Sequence, residues 1–518
     1  MKKVLLMVVD ALASRVIIPA MDSGRLPNFS TLKRQGAFRE ECLSIFPSIT
    51  PAATCSIATG VYPQEHGIIG NFWFDKSHNE LAYYGDDFWV ILQRGLSDFF
   101  EDFLYKLNHC RIDAATIFEL AENAGLSAAS LNYMIYRGNH VHETEIPFWL
   151  RILPGVASGI QLRGPGIMML GDFVATEIPR KKIDIDSDGG LLNRFGFQDE
   201  FTARELLELV HARHLPDVTL AYFPDNDYQS HEHGPDGALH VLDHIDQMLG
   251  EMFAFYGSAE RFLADHILII TGDHSQSDVL DDDSGLIALD EILQEFSQTV
   301  PGESWSDEEE SIMICPNLRT ALIYFNKPND DQVRKVIERL LSDSRIDQVI
   351  RRTDQHDHRN YEFRVHTSDR SEISFRAGSD GPNNALDDYG QLWSWDGDLR
   401  AVGAEQRGGT LVFDEYPNAF ERIAGGLCCE NSSQLWVTAR PGYEFGFAGA
   451  GFHCDGGSHG SLHRLDSVAP LFISGVPSGF PLPQKPRIVD IAPVICELLG
   501  IPFHHRMGES HLRKQKSS

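Results

Sequence analysis

The apolar positions of this chain fall into short continuous runs separated by stretches with helical spacing. "KVLLMVV" (3–9) precedes a helix-like "PNFSTLKRQG", and "TIFELAENAG" (116–125) precedes the apolar "SAASLNYMI". "FTARELLELVHARH" (201–214) leads into "DVTLAYF", and "HVLDHIDQMLGEMFAFYG" (240–257) leads into "HILIITGDHS" (266–275). Strands without polar alternation are covered on both faces, the condition of parallel sheets lying between helices. The pattern predicts an α/β fold with a doubly wound, mostly parallel sheet flanked by helices.

Further along, "TALIYF", "DDQVRKVIERLLSD" and "IDQVIRR" read as a small β-α-β unit inside a long insertion. The expected organisation is a core over residues 1–300, an inserted α+β subdomain over 301–432 and a C-terminal part of the core over 433–518. Cap insertions are expected at about 76–115 and 138–198, where segments such as "RGNHVHETEIPFWLRILPG" fit no strand-helix repeat.

Sites in such sheets collect at the carboxyl ends of the strands. Asp10 ends "VLLMVVD", Asp225 and Asp227 follow "VTLAYFP", and Asp273 and His274 follow "ILIITG". One aspartate alone reads equally well as a helix cap or turn residue. Here histidines accompany them: His231 lies four residues after Asp227, and His459 sits in the glycine-rich "GGSHGS". A mixed Asp/His set suits Zn²⁺ or a similar divalent ion. Beside it, "FPSITPAATCSIATG" (46–60) offers Ser48, Thr50, Thr54 and Ser56 in a bend, with prolines 47 and 51 bracketing Thr50. A Thr or Ser hydroxyl becomes a nucleophile when a cation lowers its pKa; the plainer role of Thr50 is a helix N-cap.

Composition narrows the partners. A hydrophobic content of 42% is that of an ordinary folded chain. The net charge of −31 excludes a nucleic-acid polymer, whose binding needs clustered Lys and Arg. The first apolar run is broken by Asp10 before it reaches the roughly 7 to 15 residues of a secretory signal, and no stretch approaches the roughly 20 of a membrane span. The eight cysteines include no C-x-x-C spacing. A reduced, cytoplasmic protein without a membrane partner is the expectation.

Taken together, "VVDAL", "FPSITPAATCSIATGVYPQEHGIIGN", "PDNDYQSHEHGP", "TGDHS", "GSHGS" and "IVDIAPVICELLGIP" resemble the alkaline phosphatase superfamily, in its type I phosphodiesterase/nucleotide pyrophosphatase branch. The matching motifs cover residues 1–75, 201–280 and 433–505. The resemblance implies Thr50 as nucleophile, in the F-P-x-x-T frame that reads "FPSIT" here. It implies two divalent metal ions, one held by Asp10, Thr50, Asp273 and His274, the other by Asp227, His231 and His459. Asp225 follows a proline as the family aspartate does, but the D-x-x-x-H spacing to His231 selects Asp227. His233, His453 and His463 are surplus histidines near these motifs. Zinc fits the set, and Mn²⁺ accepts the same ligands. Two cations also offset the acidic surroundings of a phosphate ester.

The implied activity is hydrolysis of phosphodiester or pyrophosphate bonds in a small phosphate ester, a nucleotide among them, through a phosphothreonine. One departure stands out. The family carries an Asn three residues after its Thr, where this chain has Ala53. A missing donor of that kind is worth about 3 kcal/mol, so phosphomonoester and phosphonoacetate-type C–P hydrolysis stay open as alternatives. A sulfatase is disfavoured, since its C-x-P-x-R frame is absent around Cys55. A non-catalytic metal-binding scaffold predicts lost ligands, yet all seven positions can coordinate. Asn71, Phe72 and Trp73 of "NFWFD" are the candidate substrate-binding residues, Asn71 as a replacement donor and the rings as a stacking platform for a base or aryl group.

Overall fold

The structure, a computed structural model, describes residues 2–84, 101–144, 160–176, 194, 196–299, 305, 310–353, 361–369 and 372–504. Its centre is an eight-stranded sheet of β1 (Lys3–Val9), β2 (Ala37–Leu43), β3 (Ala128–Leu131), β4 (Ile167–Leu170), β5 (Val174–Ala175), β6 (Val218–Phe223), β7 (His266–Thr271) and β8 (Val468–Ser474). The spatial order is β2-β8-β7-β1-β6-β3-β4-β5. Strands β7, β1, β6, β3 and β4 run parallel. The outer strands make antiparallel pairs, so the sheet is mixed around a parallel centre.

The principal helices are α1 (Thr50–Thr59), α2 (Asp199–His211), α3 (Asp225–Gly237), α4 (Leu239–Tyr256), α5 (Asp330–Leu341) and α6 (Ile491–Leu499). Side chains of β1 alternate between faces. Leu5 and Met7 pack with Leu206 and Leu209 of α2 and Leu249 and Met252 of α4. Leu6 and Val8 join the opposite cluster with Ile57 of α1 and Ile491 and Ile495 of α6. Both faces are therefore dry, which is why β1, β6 and β7 carry no polar alternation.

Strand direction gathers the chemistry at one edge. Val9 pairs with Phe223 and Val8 with Thr271, so β1, β6 and β7 end side by side. Because β8 runs the other way, its first residue opens at this same edge, beside Leu43 at the end of β2. The segment carrying Thr50 and the segment carrying His459 thus reach the ends of the parallel strands.

A second sheet of ten strands lies beside this core. The segments read as a β-α-β unit are Thr320–Phe325, α5 and Ile346–Thr353. Between the two strands runs Leu435–Ala439, antiparallel to both. The insertion therefore closes with a strand beyond position 432, which local pattern cannot reveal because its partners are more than 80 residues away. Trp436 of that strand packs on Phe46 at a ring separation of 5.2 Å, so the sheet shares an apolar cluster with the core. A second difference concerns the cap read at 138–198. Its β4 and β5 extend the central sheet, leaving the hairpin His140–Glu143/Gln161–Gly164 outside it. Residues 85–100, 145–159 and 177–193 of the two cap segments lie outside the described residues. No described helix is long and apolar enough to cross a membrane.

Candidate active site

Thr50 is the first residue of α1, immediately after the extended Ile49. Every later residue of α1 is buried, and the hydroxyls among them are partnered: Thr54 donates to the Thr50 carbonyl and Thr59 to that of Cys55, both at 2.6 Å, while Ser56 Oγ lies 2.9 Å from His66 Nε2. The helix closes on Gly60, at φ 68°, whose N–H returns to Ser56. Small residues and partnered hydroxyls allow "PAATCSIAT" to be a dry helix despite its composition. At the start of the helix the Thr50 hydroxyl faces outward, 3.0 Å from His274 Nε2.

Around that hydroxyl the strand ends converge. His274 Nε2 lies 3.4 Å from Asp10 Oδ1 and 3.6 Å from Asp273 Oδ2. These three residues form one group able to hold a cation, and Asp227, His274 and His459 form a second. His231 Nε2 lies 3.3 Å from Asp227 Oδ2, and the His274 and His459 rings stack at 3.8 Å. The seven candidate ligand positions thus meet in one cluster at the sheet edge. Backbone carbonyls set the imidazoles: Ser48 O accepts from His459 Nδ1 at 2.8 Å and Gly457 O from His231 Nδ1 at 2.7 Å. In each case Nε2 is turned toward Asp227 as an available ligand atom.

The fit to cations rests on the charge balance. Burial, then the neighbouring Asp273 and Asp227, push the Asp10 carboxyl well above its usual range. For Asp227 burial acts in the same direction, but His231, His459 and His274 outweigh it and hold this carboxyl low. Burial and the nearby His274 keep the His459 ring neutral. Asp10 Oδ1 and Asp273 Oδ2 are buried and accept no hydrogen bond from described residues. Three carboxyl groups crowded together, with orphaned oxygens, are what positive ions would satisfy.

Asp225 is outside this group. It accepts from Arg194 and from the Asp199 N–H at 3.0 Å, while Asp199 accepts from the Asp225 N–H at 2.9 Å, so the two aspartates cap each other's helices. His453 lies tilted against His231, with ring centroids 4.1 Å apart and its Nδ1 3.0 Å from Glu444. His463 caps a short helix, and His233 is exposed. The aromatic pair in "NFWFD" is not a platform. Phe72 and Trp73 are fully buried, with Phe72 against Tyr83 and Trp73 against Tyr84, leaving neither ring a face for a substrate. The Phe72–Asp75/Glu80–Tyr83 hairpin is covered on both faces, so these successive side chains, which point to opposite sides, are both buried. Asn71 remains partly exposed, its N–H bonded to Asn317.

Sequence reading missed two contacts that touch the candidate carboxylates. Tyr222, at the end of β6, donates to Asp10 Oδ2, and Gln276 donates to Asp227. Neither residue type signals a site by itself.

Known proteins share the fold and the family. Murine ectonucleotide pyrophosphatase/phosphodiesterase 5, solved as an inactive variant in complex with AMP, shares the fold at a TM-score of 0.55 and 14% identity, covering 98% of each chain. Phosphonoacetate hydrolase from Sinorhizobium meliloti 1021, solved with phosphonoformate, does so at 0.54 and 16% identity, covering 96% of this chain and 95% of that one. Ectonucleotide pyrophosphatase/phosphodiesterase family member 1 of Rattus norvegicus is 27% identical over 143 residues, 25% of this chain and 14% of the relative's length. The Mus musculus protein of the same name matches equally. The profile of the type I phosphodiesterase / nucleotide pyrophosphatase family spans residues 4–462. With a profile running through nearly all the motifs, this chain belongs to the type I phosphodiesterase / nucleotide pyrophosphatase family.

Proposed function

We propose that the protein hydrolyses phosphodiester or pyrophosphate bonds of a small phosphate ester, with Thr50 as nucleophile. The observation that carries this is the Thr50 hydroxyl, 3.0 Å from His274 Nε2, inside the Asp10, Asp273 and His274 group. Two divalent ions, zinc by ligand type, would be held by Asp10, Thr50, Asp273 and His274, and by Asp227, His231 and His459. When bound, they supply charge neutralisation of the phosphoryl oxygens and a lowered pKa at the threonine hydroxyl.

The chain's own groups do the rest. Thr50 Oγ1 attacks phosphorus in line with the leaving oxygen; the new O–P bond forms as the old P–O bond breaks, leaving a phosphothreonine. Water then attacks the same phosphorus, returns the hydroxyl to Thr50 and releases phosphate or its ester. Carbonyls of Ser48 and Gly457 keep His459 and His231 oriented throughout.

Ala53 is the observation favouring a second reading, hydrolysis of monoesters or of a C–P bond, the latter being the chemistry in the name of the Sinorhizobium meliloti neighbour. Turnover of bis-(p-nitrophenyl) phosphate against p-nitrophenyl phosphate separates the two for wild type and Thr50→Ala. Diester preference lost in Thr50→Ala supports the proposal. Undiminished turnover by Thr50→Ala overturns the nucleophile, and monoester preference moves the assignment to the second reading.

A further inference from the structure

Resting on the reading of Asp227 as a ligand, we propose that Gln276 is a positioning residue that fixes the Asp227 carboxylate. Gln276 lies two residues past His274 and is fully buried. Its Nε2 donates to Asp227 Oδ1 and also to the Asp227 main-chain carbonyl, the latter at 3.2 Å. One nitrogen thereby ties the side chain of Asp227 to its own backbone and restricts rotation about the Cα–Cβ bond. The two carboxylate oxygens face different histidines: Oδ1 lies 3.7 Å from His459 Nε2 and Oδ2 lies 3.3 Å from His231 Nε2. With Oδ1 carrying the amide hydrogen, Oδ2 keeps its lone pairs for a cation beside His231.

The backbone that carries the amide is anchored as well: Arg15 Nη2 donates to the Gln276 main-chain carbonyl at 3.1 Å. At the far end Oε1 is buried without a described donor, and a Cβ added to Gly457 would stand 2.3 Å from it. Gly457 is also the residue whose carbonyl orients His231, so one glycine leaves room for the amide and sets the imidazole. Turning the amide over would place Oε1 against the carboxylate, lone pair to lone pair, so the donor orientation is the stable one. Being uncharged at all working pH, the glutamine positions Asp227 without adding a titration of its own.

Removing such an outer partner typically weakens a metal about 10–100-fold. The test is Zn²⁺ affinity by chelator competition on the full chain, for Gln276→Met, which keeps the volume and loses the donor, and Gln276→Asn, which keeps the amide one methylene too short. Melting of the metal-free proteins is recorded alongside. The expected result is one Zn²⁺ weakened about 10–100-fold with the other at wild-type affinity. Affinities within twofold of wild type for both ions, or equal weakening of both with a lowered melting temperature, overturn the proposal. Asp227→Ala serves as the separate check: if it retains both ions, the ligand reading fails, whatever Gln276 does.

Discussion

Acid should destabilise this protein through one histidine that takes no part in the site. His66 is fully buried, its Nε2 2.9 Å from Ser56 Oγ on the helix that Thr50 opens, while its Nδ1 accepts from the Ile68 N–H at 3.1 Å. Burial pulls its pKa down from 6.5 to about 3. The folded state therefore holds a neutral ring where the unfolded chain takes up a proton below pH 6.5, so the stabilisation is complete above that value and is lost as pH falls toward 3. At 1.36 kcal/mol per unit, the 3.5-unit span is worth about 5 kcal/mol, a large part of a typical folding free energy. His66→Gln keeps a donor toward Ser56 but leaves the Ile68 N–H unpaired, costing about 1–2 kcal/mol at pH 7.5. Urea unfolding followed by tryptophan fluorescence at pH 7.5, 6.5, 5.5 and 4.5 should show the two proteins converge and then cross near pH 5, the variant being the more stable below it. Parallel lines, with a constant difference over that range, would refute the assignment of His66 as the proton acceptor.

Two other substitutions probe how the site is braced. Arg319 is fully buried, pairs with Asp466, donates to Ser277 and the Ala439 carbonyl, and its N–H holds the His459 carbonyl at 2.9 Å. Arg319→Met strands Asp466 without its partner and should cost about 3–5 kcal/mol in denaturant unfolding; a loss below 1 kcal/mol would mean that the pair is dispensable. At Gly60, φ is 68° and a Cβ would meet Pro493 and Phe503 at 2.8 Å, so Gly60→Ala should lower the melting temperature through both left-handed strain and overlap with α6. An unchanged melting temperature would sink that packing argument.

The sequence alone determined the elements whose signal is local. β1, β6 and β7 are legible because a strand dry on both faces must be apolar throughout, and α4 because its apolar spacing repeats over 18 residues. The aspartates at 10, 227 and 273 are legible for the same reason: a carboxylate that interrupts an apolar run marks a strand end. Order and spacing of the motifs carried the family, and the D-x-x-x-H spacing separated Asp227 from Asp225, which the fold employs as a helix cap. Tertiary structure alone decided what depends on distant partners. Leu435–Ala439 enters the second sheet, β4 the first, and Trp73 a dry hairpin face, because pairing and burial are settled by strands far away in sequence rather than by neighbours. Gln276 and Tyr222 were silent for a related reason. An amide or a phenol acquires its role only when folding places it on a particular carboxylate, and no residue type announces that contact in advance.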